Sequence, residues 1–146
     1  RTRADMVELA IAGNEGFELS LVEENIEKNS YSYDTVREIK KLYKDASLYF
    51  ILGEDSLLYI HKWYRYEDFL SLVKLIVFRR DQETGGDFWD QVKMLEDKGY
   101  EVNVIDDMKF QISSSFIRKS IKNSWSVSYL LPDKVETYIE DRKLYR

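Results

Sequence analysis

The sequence predicts an α/β fold, an open and mostly parallel sheet with helices on both faces. Two patterns lead there. Residues 48–52 and 75–78 are short continuous apolar runs, and Val102 and Val104 mark a third short strand. Between them lie segments whose apolar residues recur at three- and four-residue spacing, the period of a helix. The chain of 146 residues has no repeat, low-complexity tract or obvious linker, so residues 1–146 read as one domain.

The elements follow in order. Residues 3–12 form an amphipathic helix with Met6, Leu9 and Ala10 on one face, stopped near Gly13. Phe17, Leu19 and Leu21 alternate with polar residues, the pattern of a half-buried strand. Residues 28–33 are polar and turn-rich. Thr35 with Glu38 three residues on has the form of a capping box, and Val36, Ile39 and Tyr43 share one side of the helix behind it. Residues 48–52, ended by Gly53, read as a strand covered on both faces. Residues 66–73 form a short helix and residues 75–78 a second buried strand. Gly85-Gly86 reads as a loop. Phe88, Val92 and Leu95 mark a helix that ends at Gly99. After the third strand comes a serine triplet, and Ile117 and Ile121 continue from it at helical spacing. Pro132 starts the last helix, with Val135, Tyr138 and Ile139 as its buried face.

Bulk composition narrows the function. The chain is 44% hydrophobic and 34% charged, the balance of a soluble globular protein. A net charge of −5 argues against general binding to nucleic acid or a membrane surface. No apolar run approaches a membrane span, and no signal-peptide pattern opens the chain. There is no cysteine, which removes disulfides and thiolate metal sites. His61 is the only histidine, so a multi-histidine metal site or two-histidine catalysis cannot be complete within these residues. No role is assigned to His61. The chain opens Arg1-Thr2-Arg3 and enters a helical pattern without a lead-in strand, as though it began in the middle of a fold.

In such sheets ligands bind beyond the carboxyl ends of the strands. That rule selects four places: residues 30–35, then Gly53-Glu54-Asp55-Ser56, then Arg79-Arg80, then Ser113-Ser114-Ser115 with Arg118. The last combines small hydroxyls, helix-start N–H groups and a cation one turn along the same face, which suits a phosphate. An ordinary serine cap with a surface arginine is the plain alternative. Asp55 would suit sugar hydroxyls, or would only cap a turn. Arg79 and Arg80 would meet phosphates, or would only be a solvated strand end. Tyr59 and Trp63 stand four apart and could share a helical face. Trp63 offers a flat platform for a heteroaromatic ring, with a core position as the alternative.

Taken in order, these loops resemble one family, the bacterial nicotinate-nucleotide adenylyltransferases. Ser30-Tyr31-Ser32-Tyr33-Asp34-Thr35 is similar to that family's Ser-Tyr-Thr-x-Asp-Thr loop. Phe50-Ile51-Leu52-Gly53-Glu54-Asp55-Ser56 is similar to its Phe-Ile-Ile-Gly-Ala-Asp-Ser segment, and Trp63 stands eight residues after Asp55, as the family tryptophan does. Ile112-Ser113-Ser114-Ser115-Phe116-Ile117-Arg118 resembles Ile-Ser-Ser-Thr-x-Ile-Arg, and residues 129–135 fit the family's C-terminus. The resemblance covers essentially the whole chain.

It implies a Rossmann-like nucleotidyltransferase fold, a cytoplasmic enzyme, and transfer of the adenylyl group of ATP to nicotinate mononucleotide, giving deamido-NAD and pyrophosphate, with Mg2+ accompanying ATP. It implies that Trp63 stacks on the nicotinate ring, and that Ser32 and Tyr59 help hold the nicotinate carboxylate. Gly53 and Asp55 would lie along the adenosine, Arg80 near ATP, and Ser114, Ser115 and Arg118 on the ATP phosphates. After Arg80 this chain reads Asp81-Gln82 where the family has Pro-Gly. The family's first strand and first helix, with its His-x-Gly-His motif, have no counterpart here. The expectation is therefore that this segment alone lacks activity and folds poorly. Three other readings stay open: a noncatalytic nucleotide-binding or regulatory domain, an interaction module using the exposed aromatic segment, and a related enzyme such as pantetheine-phosphate adenylyltransferase. Self-association is left open as well.

Overall fold

A computed structural model of the chain describes residues 2–25, 31–79, 85–106 and 112–146. In chain order the helices are α1 (Thr2–Ile11), α2 (Ser32–Leu42), α3 (Glu54–Leu58), α4 (Tyr66–Leu72), α5 (Gly85–Asp97), α6 (Ser114–Lys122) and α7 (Asp133–Asp141). The strands are β1 (Tyr49–Gly53), β2 (Lys74–Phe78) and β3 (Val102–Ile105), and single 3-10 turns cover Val22–Asn25 and Ile60–Lys62. The residues group into two compact units, Leu21–Phe110 and a second made of Arg1–Ser20 with Gln111–Arg146.

The first unit holds the sheet. Its order is β1-β2-β3 and both ladders are parallel, as the continuous apolar runs predict. Gly53 pairs with Phe78, and Phe78 with Ile105, so the three carboxyl ends finish level and form one rim. The core beneath it is built from Leu57, Ile60, Phe69, Leu75, Val77, Phe88 and Leu95, all fully buried. Phe50 meets Phe69 edge-on at 5.0 Å, a favoured aromatic geometry.

Four expectations change here. The apolar run of β1 is not covered on both faces: Tyr49 and Ile51 are 51% and 65% exposed, because among the described residues the core packs on only the Phe50 and Leu52 side of the strand. Helix α2 starts earlier than the capping box suggests. Thr35 sits inside the helix, its Oγ1 donating to Glu23 Oε1 at 2.9 Å, while Glu38 turns to Lys41 at 2.7 Å. Buried Tyr33 and Val36 anchor that earlier start. Gly85 and Gly86 open α5 rather than forming a loop, since the first helical turn places no demand on a side chain. Tyr59 and Trp63 do not share an α-helix. Helix α3 stops at Leu58, and a 3-10 turn intervenes, closed by Trp63 N–H to the Ile60 carbonyl at 2.9 Å.

In the second unit α1 packs on α7, and Tyr138 Oη donates to Asp5 Oδ2 at 2.8 Å. This bond raises the Tyr138 phenol above its ordinary value. Val135 and Ile139 form the buried face of α7, with Tyr138 half-buried beside them. Phe17 and Leu19 are not in a strand. The backbone N–H of Phe17 turns back to the Asn14 carbonyl at 3.1 Å, and among the described residues no strand pairs with this segment to reward the alternating pattern. Leu21, at the start of the other unit, is likewise outside any strand.

Candidate functional site

The rim of the sheet carries the first group of candidates. Gly53 is the last residue of β1, with φ of −86°. A Cβ added there would meet no protein atom within 4 Å, so the protein itself does not require glycine at this point. Asp55 lies in the first turn of α3 with its side chain exposed, and Glu54 between them is buried. Tyr59 is 57% exposed just beyond α3, with Lys62 Nζ 4.8 Å from its ring centroid. Trp63 is half-buried against Phe50 at 5.9 Å and Phe69 at 5.5 Å. The core reading of Trp63 holds in part: the indole packs on Phe50 and Phe69 while some of it stays open to solvent.

Ser32 is the first residue of α2. Its neighbour Tyr31 stacks on Tyr64, the neighbour of Trp63, with centroids 4.6 Å apart. The structure therefore brings the Ser32 and Trp63 segments together, although 31 and 64 are distant in sequence. Tyr33 closes the cluster, 6.4 Å from Tyr64 and 4.5 Å beneath the Arg65 guanidinium. Arg65 adopts a left-handed conformation, φ 52°, immediately before α4. Its hydrogen bond to Asp68, 2.7 Å, holds its guanidinium above the ordinary value. Sequence reasoning did not find this cluster. The signal available was the run of tyrosines in residues 31–33 and 59–66.

At the ends of β2 and β3 lies a second group that went unpredicted as a unit. Arg79 is buried, with Nη1 donating to Asp106 Oδ2 at 3.0 Å and Nε 3.9 Å from Glu54 Oε1. The expectation that Arg79 is a cationic loop residue facing a ligand is corrected: its charge is used inside the protein. Arg80 lies outside the described residues.

The serine cluster belongs to the other unit. Ser113 caps α6, its Oγ accepting from Phe116 N–H at 3.1 Å. Ser114 and Ser115 are the first two helical residues, and both are exposed. Arg118 Nη2 reaches Ser115 Oγ at 3.3 Å and is otherwise open to solvent. The cap reading holds for Ser113 alone; Ser114, Ser115 and Arg118 are exposed at the start of α6, where helix N–H groups and a cation suit an anion chemically. Among the described residues no three His, Asp or Glu side chains cluster to hold a metal ion. No helix among them is long and apolar enough to cross a membrane.

Comparison with known proteins bears on the chain as a whole. Residues 1–120 match the family model described as cytidylyltransferase-like. Nicotinate-nucleotide adenylyltransferase of Bacillus subtilis is 35% identical over 143 residues, covering 98% of this chain and 70% of the relative. A probable nicotinate-nucleotide adenylyltransferase of Citrifermentans bemidjiense is 38% identical, covering 99% of this chain and 74% of the relative. Among solved structures, Plasmodium falciparum nicotinic acid mononucleotide adenylyltransferase superposes with a TM-score of 0.74 in complex with APC and 0.75 in complex with NaAD. Both are 20% identical, and the match covers 99% of this chain and 74% and 73% of theirs, a likeness of fold.

Proposed function

This chain belongs to the nicotinate-nucleotide adenylyltransferases, within the cytidylyltransferase-like family, and on that premise we propose that it transfers the adenylyl group of ATP to nicotinate mononucleotide in NAD synthesis. One observation carries the reading at the level of residues. The exposed Ser114-Ser115-Arg118 cradle opens α6, while the level strand ends present Gly53 and Asp55 in the sheet unit.

In the proposed reaction a phosphate oxygen of nicotinate mononucleotide attacks the α-phosphorus of ATP. A new P–O bond forms, the bond to the bridging α–β oxygen breaks, and the electron pair leaves on pyrophosphate. The attacking phosphate is already an anion, so no general base is needed and catalysis is alignment with charge neutralisation. Arg118 and the α6 N–H groups would hold the departing phosphates. Gly53 and Asp55 would lie along the adenosine, with Arg80 near ATP. Trp63 would stack on the nicotinate ring, and Ser32 and Tyr59 would hold its carboxylate. The donors of the cradle suit phosphate oxygens rather than a cation, so Mg2+ would enter as part of the ATP complex. A cytoplasmic location fits such substrates. We also infer that activity depends on a histidine-bearing segment of the kind found in the family's His-x-Gly-His motif, and that residues 1–146 act as one domain.

Pyrophosphate release by the full-length protein, with nicotinate, nicotinamide and pantetheine phosphate acceptors in parallel, tests the reading. Release dependent on nicotinate mononucleotide is expected. ATP binding without release on any acceptor would favour a regulatory nucleotide-binding domain, and release on the pantetheine substrate would move the chain to the related enzyme.

A further inference from the structure

Arg79 is the first residue beyond β2, and it is buried although it carries a charge. It reaches Asp106 at the end of β3 and Glu54 directly after β1. Its guanidinium carbon lies 4.9 Å from the Phe88 ring centroid and 5.5 Å from that of Trp89, both on α5. One cation therefore ties the ends of all three strands to the helix that connects β2 with β3. Burying an ion costs several kcal/mol before its partners repay it, and an apolar side chain of similar volume often serves stability as well. Stability alone is thus a weak reason for a buried Arg79 beside a buried Glu54.

The location supplies a better one. Glu54 stands between Gly53 and Asp55, and Arg79 stands directly before Arg80. Residues of the anchor alternate along the chain with residues proposed to meet ATP. The geometry points to Arg79, with Glu54 and Asp106, as a positioning group that fixes the ATP-side rim, an inference that rests on the adenylyltransferase reading. The anchor touches no substrate. It sets the spacing between the β1 end and the β2 end, where an error of an ångström weakens alignment.

The test uses the full-length protein with Glu54→Ala, Arg79→Met and the double variant. Each single variant is expected to raise the KM for ATP about tenfold, with the KM for nicotinate mononucleotide nearly unchanged and a lowered melting temperature. The double variant removes both buried ions and leaves only Asp106, 39% exposed and open to water, without its partner, so its melting temperature recovers much of the loss. Its KM for ATP stays raised, because the tie between strand ends is still gone. Calorimetric ATP binding is measured alongside. Recovery of ATP affinity together with the melting temperature, or an equal rise for both substrates, overturns the inference, as does unchanged ATP affinity in the single variants. If a single variant does not fold, the double variant decides. A wild-type protein that neither binds ATP nor releases pyrophosphate overturns the adenylyltransferase reading and this inference with it.

Discussion

Replacing Arg118 by alanine separates the two uses of α6. The side chain is exposed, and the hydrogen bond recorded for it runs to the exposed hydroxyl of Ser115 at 3.3 Å. A long bond between solvated groups contributes at most about 0.5 kcal/mol to stability. The cap itself survives, because Ser113 Oγ accepts from Phe116 N–H without help from Arg118. The melting temperature should therefore move by no more than a few degrees. A charge-assisted bond from a guanidinium to phosphate is worth about 1.5–3 kcal/mol, which corresponds to roughly a ten- to hundredfold rise in the KM for ATP. Steady-state pyrophosphate release with ATP varied, paired with thermal unfolding by circular dichroism, measures both. A large loss of stability with unchanged KM for ATP would refute the assignment and return Arg118 to a structural role.

Two further outcomes follow from the same structure. Trp63→Ala removes a ring that packs on Phe50 and Phe69, so it should cost about 2–4 kcal/mol of stability and raise the KM for nicotinate mononucleotide, whereas Trp63→Phe should restore most of the stability and part of the affinity; chemical denaturation and kinetics of both variants check this. Glu101 is held below its ordinary carboxyl value by a hydrogen bond from Lys74 at 2.8 Å, and then by Asn103. A depressed folded value means its contribution is present above the unfolded value of 4.5 and is lost as pH falls through the lower folded one. The melting-temperature difference between wild type and Glu101→Gln should hold near neutral pH and vanish in acid. Both residues are solvent-accessible, so added salt should shrink it. A difference that persists unchanged in acid would contradict the assignment.

What the sequence disclosed, and what it hid, divides along the range of the interaction concerned. Strands β2 and β3 and the buried face of α7 were readable because each announces itself within a few residues: Leu75 and Val77, Val102 and Val104, Val135 and Ile139 carry the period of their own element. The serine cap was readable because capping is a contact between residues three apart. Phe17, Leu19 and Leu21 had the same local credentials as a strand and did not become one, since a strand also needs a neighbour to bond with. The run at β1 looked doubly covered because apolar content does not reveal which side a helix will occupy. The site followed the same division. Trp63, Gly53 and Asp55 were singled out by the family resemblance, the last two also by their position at and just after a strand end. The stack of Tyr31 on Tyr64 and the burial of Arg79 against Glu54 join residues at least 25 apart, and no local pattern encodes such a meeting.

The position of β2 in the sheet has a kinetic side. Among the described residues it is the one strand that belongs to both ladders. Pairing Tyr49 with Lys74, or Leu75 with Val102, closes a loop of roughly 25 residues, and each closure costs about 3 kcal/mol of chain entropy before any contact offsets it. Parallel ladders of this kind cannot start from a tight hairpin. Among the described strands, β1 and β3 pair only through β2, so these two ladders cannot form before β2 is in place, and the level strand ends come together only when all three have docked.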